Sequence, residues 1–401
     1  MLRFLPPRLR VLTLPLLAAT LASCTSLKDP GPQPEVTALK PAPAGLLASA
    51  SGQFRTTHSP NESGFHLLED NEQALLTRLA LADHATRSID AQYFIWQDDE
   101  SGRLLIARLI SAADRGVRVR LLVDDLVFAG KDENMAALTH HPYIDVKLFN
   151  PIYLRQGPVT ALFDFVLNFR ELNRRMHNKM FVADNRFAIV GGRNIGNEYF
   201  GLSKKYDFRD LDVLTTGPVV PEISAAFDEY WNAEAAYPGR QLSPDTPPER
   251  LDEARAEFAE ELAVDRIFFA HTPYPVDRQD WSRLLRSLTS RMHAGEAHFL
   301  QDEPVTHQGE QRRLLDTLEY LAAPSHEELL IVTPYLIPVG DFLDDLTQLS
   351  NEGVHVKLLT GGMDSNNHTV AHAHYRKYRK PVLKAGTKLF EYKHQPGPRQ
   401  R

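Results

Sequence analysis

Apolar and polar positions follow two periods along this chain, and one stretch of pattern occurs twice. Ser88–Trp96 (SIDAQYFIW) reads as a buried strand. Leu104–Arg115 places apolar residues at helical spacing. Gly116–Asp124 (GVRVRLLVD) then alternates as a strand does. The same order returns in Glu328–Ile337, Asp341–Asn351 and Gly353–Leu359. Strand, helix, strand predicts a right-handed crossover and a parallel pair each time. A further strand repeats as well, Val146–Phe149 against Thr387–Phe390. The pattern predicts two similar α/β halves with mixed, mainly parallel sheets. Between them Pro244–Val264 is charged and rich in Ala, Glu and Arg, as in a loop leading to an exposed helix. The halves are therefore drawn at 53–245 and 246–401.

The first residues carry a different pattern. Arg3, Arg8 and Arg10 precede an apolar run from Val11 to Ala22, too short to cross a hydrocarbon core of about 30 Å. A basic start before a short apolar core is the pattern of a cleaved export signal. The run ends Leu21-Ala22-Ser23-Cys24, which resembles a lipoprotein cleavage box, and Cys24 is the sole cysteine. Residues 1–24 are read as a lipoprotein-type signal with Cys24 as the lipidation site. An ordinary secretory signal with an unrelated cysteine is the alternative. Residues 25–52, broken by Pro30, Pro32, Pro34, Pro41 and Pro43, are expected to be a Pro/Ala-rich tether. These features place the chain in a bacterial cell envelope, lipid-anchored and facing the periplasm.

Composition adds little beyond this. The chain of 401 residues is 43% apolar and 24% charged, ordinary for a globular protein. A net charge of −7 argues against coating nucleic acid by bulk charge.

The chemistry concentrates in His177-Asn178-Lys179-Met180-Phe181-Val182-Ala183-Asp184, followed by Gly191-Gly192-Arg193-Asn194. The spacing is His-x-Lys-x4-Asp-x6-Gly-Gly-x-Asn. Met180–Ala183 and Phe187–Val190 are predicted strands joined by a turn at Asp184-Asn185-Arg186. Residues two apart on a strand share a face, so His177 and Lys179 are expected side by side. An imidazole can attack phosphorus, and an ammonium can neutralise charge on the phosphoryl oxygens. Gly191 and Gly192 leave room for a phosphate, and Asn194 can donate to it. No carboxylate cluster sits near in sequence, so neither metal nor cofactor is expected.

At these residues the chain resembles the phospholipase D superfamily. AQYFIW at 91–96, LNRRMHNK at 172–179, VGGRNIGNEYF at 190–200, FRDLDVLTTGPVV at 208–220 and VTPYLIP at 332–338 look like its cardiolipin synthase C branch. The resemblance implies two phospholipase D-like α/β/α halves and phosphatidyl transfer between phospholipids through a phosphohistidine. It makes His177 one of two catalytic histidines and Lys179 and Asn194 phosphate ligands, with Asp184 in support. It also implies a phospholipid substrate at a membrane surface. The family usually carries the motif twice, and the tail from Lys393 to Arg401 holds no second copy: position 396 is proline, so His394 does not begin one. The second half is accordingly expected to be incomplete. Activity is expected to be weak or absent unless a partner chain or dimer supplies a second motif. A phosphodiesterase or nuclease using the same motif, and an inactive remnant, are the competing readings.

Four further features stay open at this stage. Ala161–Arg175 places Leu162, Phe163, Phe165, Val166, Phe169 and Leu172 at helical spacing, with Arg174 and Arg175 as candidate lipid contacts; ordinary core packing is the alternative. Asp210 and Asp212 either line a pocket or lie on an exposed strand. Tyr93 and Trp96 read as core rather than substrate contacts. Residues 371–401 hold nine Lys or Arg and one acid, Glu391, a pattern typical of a solvated helix face.

Overall fold

A computed structural model describes residues 31–125, 132–151, 175–243, 245–304, 313–338, 340–365 and 373–393. Cys24, the apolar stretch from Ala161 to Arg174 and the tail from His394 lie outside these. The chain divides into two compact units, residues 1–311 and 312–401. The division falls later than residue 245. The helix Arg250–Phe269 belongs to the first unit because its charges are tied there: Arg103 Nε donates to Asp265 at 2.8 Å and Arg255 Nη2 meets Asp114 at 2.8 Å.

The first unit is built on a nine-stranded sheet. Its strands are β1 (Ser63–Leu68), β2 (Ser88–Tyr93), β3 (Arg118–Asp124), β4 (Ile144–Phe149), β5 (Met180–Ala183), β6 (Phe187–Gly191), β7 (Asp212–Thr216), β8 (Ala236–Pro238) and β9 (His293–Gly295). Their order is β8-β4-β3-β2-β5-β6-β7-β1-β9. β2, β3 and β4 are parallel, as the strand–helix–strand pattern requires. The other neighbours are antiparallel, so this sheet is mixed rather than mainly parallel. The cause at β5–β6 is a tight reversal. Asp184 and Asn185 both take positive φ, 57° and 50°, and Arg186 N donates to Ala183 O at 3.0 Å. Such a two-residue turn favours Asn and Asp because their short side chains tolerate the left-handed region.

Helices cover both faces of this sheet. On one face lie α1 (Leu46–Thr57), α2 (Asn71–His84) and α3 (Glu100–Asp114), over Ile89, Ala91, Val119, Leu121, Phe181, Phe187 and Ile189. On the other α5 (Val219–Trp231), which follows the short α4 (Asp132–Leu138) in the chain, packs on Leu122, Met180, Val182 and Ala188. The alternation along β5 and β6 is the period of two that a doubly covered strand shows.

The segment expected to be a tether is docked where it is described. Val36 N donates to Asn232 Oδ1 at 3.0 Å, Ala38 N to Asp228 Oδ2 at 2.7 Å and Ala42 N to Asp184 O at 2.9 Å. Proline and small side chains let an extended chain lie flat, and Leu47, Ala50 and Phe54 of α1 then enter the core.

The second unit holds a parallel three-stranded sheet of β10 (Glu328–Thr333), β11 (His355–Gly361) and β12 (Lys388–Tyr392), in the order β10-β11-β12. One face packs Leu329, Ile331, Val356, Leu358 and Leu389 against the helices Phe342–Asn351 and Arg379–Lys384. The α/β class and the repeat of the strand–helix–strand unit both hold.

Candidate active site

The site lies beyond the carboxyl ends of β2 and β3, where open α/β sheets commonly bind ligands. β3 ends in Asp124, fully buried. Its carboxylate accepts from Met176 N at 3.2 Å and from Arg175 Nη1 at 3.1 Å. Arg175 also donates to Asn150 O at 2.9 Å. These bonds fix the extended lead-in to β5, and His177 and Lys179 stand on that lead-in rather than within the ladder.

Phe94, the residue after β2, forms the wall behind the pair. The His177 ring lies 4.8 Å from it, tilted by 49°, and Lys179 Nζ sits 5.3 Å from its centroid. Lys179 is almost wholly buried and donates to His177 O at 2.5 Å. The imidazole keeps an open face to solvent. Desolvation, then repulsion from Lys179, pushes the His177 pKa down to about 4. Desolvation also pushes Lys179 down to about 8, against the pull of Asp210, Asp124 and Asp212. At neutral pH the pair is therefore an uncharged imidazole beside a cation. That is a nucleophile for an electrophilic phosphorus, with a counter-charge for its oxygens.

A model of the cardiolipin synthase, PLD-like domain family matches residues 79–231 and 319–400. The chain belongs to this family. It is similar to cardiolipin synthase C of Escherichia coli (strain K12), 35% identical over 356 residues, covering 86% of this chain and 72% of that one. An uncharacterized protein of Helicobacter pylori (strain ATCC 700392 / 26695) is 28% identical over 352 residues, 83% of this chain and 66% of that one. In three dimensions the chain resembles phosphatidylserine synthase of Haemophilus influenzae Rd KW20, with a TM-score of 0.50 and 15% identity over 86% of this chain and 77% of that one. At that identity the likeness concerns the fold.

Within this cardiolipin synthase-type domain the motif residues divide by position. Asp184 lies at the far end of β5 from Lys179. It is fully buried and accepts from Thr86 N at 2.9 Å, Thr86 Oγ1 at 2.9 Å, Arg87 N at 2.7 Å and Ser88 N at 3.2 Å. It caps the start of β2 and touches nothing in the site. At Gly191 and Gly192 the space a side chain would take is already occupied. A Cβ on Gly191 would stand 2.2 Å from Asp212 Oδ1, and one on Gly192 2.1 Å from Asp210 Oδ1. The glycines make room for two carboxylates. Asn194 is buried, accepting from Ile95 N at 3.0 Å and donating to Tyr199 Oη at 2.9 Å, so its amide ties the 194–199 segment to the end of β2. Arg175 is turned onto Asp124.

The two aspartates also differ. Asp212 is sealed in the core, accepting from Arg78 Nη2 at 2.8 Å and Arg193 N at 3.2 Å. Asp210 is half-buried beside Gly192. Burial raises its pKa, partly offset by the bond from Leu211 N. Tyr93 and Trp96 are core: Tyr93 Oη accepts from Arg78 at 3.0 Å and Trp96 Nε1 donates to Gly102 O at 3.2 Å.

Three residues of the site were not marked by the sequence pattern. Asp124 was visible as an acid closing an alternating strand. Phe94 lay between the more noticeable Tyr93 and Trp96. Gln301 carried no signal; its Oε1 accepts from Asn178 Nδ2 at 2.9 Å while its Nε2 donates to Ala226 O at 2.8 Å. In the second unit His355-Val356-Lys357 repeats the His-x-Lys spacing, but on β11, with Lys357 paired to Glu328 and Gly362 where the motif has aspartate. Among the described residues no group of acids, His or Cys is placed to hold a metal ion, and no helix is long and apolar enough to cross a membrane.

Proposed function

We propose that the chain is a phospholipase D-type phosphatidyltransferase of cardiolipin synthesis, acting on phospholipid phosphodiesters through His177. The observation that carries this reading is the uncharged, open-faced imidazole beside a nearly buried ammonium. The imidazole nitrogen forms a bond to phosphorus, and the bond from phosphorus to the leaving alcohol's oxygen breaks. Lys179 balances the charge on the non-bridging oxygens. The hydroxyl of a second phospholipid then attacks the phosphohistidine, releasing His177 and completing the transfer.

The leaving alkoxide takes up a proton, and the attacking hydroxyl gives one up. In the family a second motif histidine serves as that acid and base. One complete motif lies in this sequence. We assign the second to a partner chain or second copy, which would dock beside Phe94. The residues that support the reaction are His177 and Lys179, held by Asp124 and Phe94, while Asp184 secures the fold at the start of β2. The E. coli relative's name and the apolar lipoprotein-type start, with lipidation at Cys24, support an envelope membrane location facing the periplasm.

Mass spectrometry of lipids from cells producing the chain tests the reading. Cardiolipin should rise with the wild type and not with His177→Ala. Equal cardiolipin with both, or DNA cleavage without any lipid change, would overturn it.

A further inference from the structure

Beside this site the loop 203–211 exposes apolar side chains next to cations. Leu211 is 46% exposed and Tyr206 41%. Each is tied to the site through a residue already placed there. Leu211 follows Asp210, and its carbonyl accepts from Gly192 N at 3.0 Å. Tyr206 packs on Phe208 at 5.3 Å, and Phe208 on Tyr199 at 4.8 Å, the tyrosine that holds Asn194. Lys204, Lys205 and Arg209 are exposed on the same short loop. Its acids are Asp207, exposed and accepting from Ser203 N at 3.4 Å, and Asp210, half-buried and drawn toward Lys179.

The loop is held in shape before any partner arrives. Phe208 N donates to Glu198 O at 2.7 Å, and Asn71 Nδ2 donates to Phe208 O at 3.2 Å. Scattered exposed leucines need no explanation. What separates Tyr206 and Leu211 from the exposed apolar residues of the helix Arg250–Phe269 is their company. Val264 and Ile267 on the helix Arg250–Phe269 are more exposed, 69% and 73%, yet that helix carries six acids against three arginines. An anionic surface would repel that helix and attract the loop.

We propose that the loop 203–211 forms the surface by which this domain sits on an anionic phospholipid bilayer. Leu211 and the ring of Tyr206 enter the headgroup layer, and Lys204, Lys205 and Arg209 meet lipid phosphates. This rests on the phosphatidyl-transfer reading and says how a membrane-bound diester reaches His177. The site mouth would open directly onto the headgroup plane, so a lipid need not leave the bilayer to react.

Because Cys24 is the sole cysteine, full-length chain carrying Cys24→Ser can take one reporter thiol at a chosen place. Leu211→Cys and Ile267→Cys would each carry an environment-sensitive fluorophore. Vesicles would be pure phosphatidylcholine or equal parts phosphatidylcholine and phosphatidylglycerol. Emission should shift to the blue at 211 with the anionic vesicles only, and stay unchanged at 267. No shift at 211, an equal shift at 267, or an equal response to neutral vesicles would overturn the proposal. The combined variant Tyr206→Ser and Leu211→Ser should weaken the vesicle-dependent response of a reporter at Arg209→Cys about tenfold. Its turnover of a water-soluble phosphodiester should be unchanged; loss of that turnover with vesicle affinity intact would overturn the assignment. Emission shifts without any diester turnover by the parent would instead sink the phosphatidyl-transfer reading and leave this surface standing.

Discussion

In the first unit β2 and β3 pair from Ser88–Arg118 to Tyr93–Val123; in the second β10 and β11 pair from Glu328–His355 to Thr333–Thr360. The ladders match residue for residue, but their surroundings do not. β2 has β5 along its other edge, and Asp90 on its second face is bound to Arg120 at 2.7 Å, which meets Asp228 of α5 at 2.7 Å. At the matching places β10 carries Leu330 and Val332, 59% and 67% exposed, and no strand among the described residues pairs with its outer edge. The repeated ladder is thus a scaffold without chemistry of its own. The His177–Lys179 pair, proposed above as reactive, comes with β5 and β6, for which the second unit has no counterpart among the described residues.

The sharpest way to break this comparison is to remove one histidine from each unit. His177→Ala should lower turnover of a soluble diester by about ten-thousand-fold, as loss of a nucleophile does elsewhere. His355→Ala, which disrupts the same spacing on β11, should leave turnover unchanged in the same steady-state assay. An equal loss from both would place chemistry in the second unit.

The pH profile of kcat/KM sharpens it next. His177 attacks only when unprotonated, so the rate should fall tenfold per unit of pH below about 4, the value desolvation and Lys179 give it. Lys179 serves only when protonated, so the rate should fall above about 8. Lys179→Met should remove the basic limb and move the acid limb upward, because the repelling cation beside His177 is gone. Unmoved limbs would mean that other groups govern the reaction.

Asp184 tests the division inside the motif. Asp184→Ala leaves buried N–H groups of Arg87 and Ser88 without their acceptor and should cost about 3 kcal/mol of unfolding free energy in urea titrations. Turnover per folded molecule should change little. A smaller effect is expected at Gln301: Gln301→Ala should lower kcat about tenfold with little change in KM, by loosening Asn178 and its neighbours. Combined with Asn178→Ala the losses should not multiply, since both remove one contact. The smallest effect belongs to the open face of the second unit, where Leu330→Ser should change stability by no more than about 0.5 kcal/mol. Ile331→Ser, on the packed face of the same strand, should cost clearly more.

Much of this architecture could be read from the chain before folding. The strand–helix–strand repeat, the β5–β6 hairpin and the His177–Lys179 pair follow from periodicity, turn chemistry and a spacing that puts an imidazole and an ammonium on one side. The antiparallel pairings beyond that hairpin could not be read, because β1, β7 and β9 come together from distant places. The neighbours of Gly191, Gly192 and Asn194 were hidden for a related reason. A glycine says that something approaches closely, not whether it is a substrate phosphate or the chain's own Asp210 and Asp212. The docking of residues 36–42 was hidden because backbone donors, not side chains, make the contacts.

The distance between Lys179 and Asp184 carries a consequence of its own. Five residues of extended chain span roughly 16 Å, beyond the reach of any contact with a phosphate held at His177. The signature that identifies this family therefore fuses two demands, one kinetic and one architectural. Damage at the distal end should be repairable by anything that favours the folded state, such as an osmolyte or a compensating core substitution. Damage at the proximal end should respond to none of them.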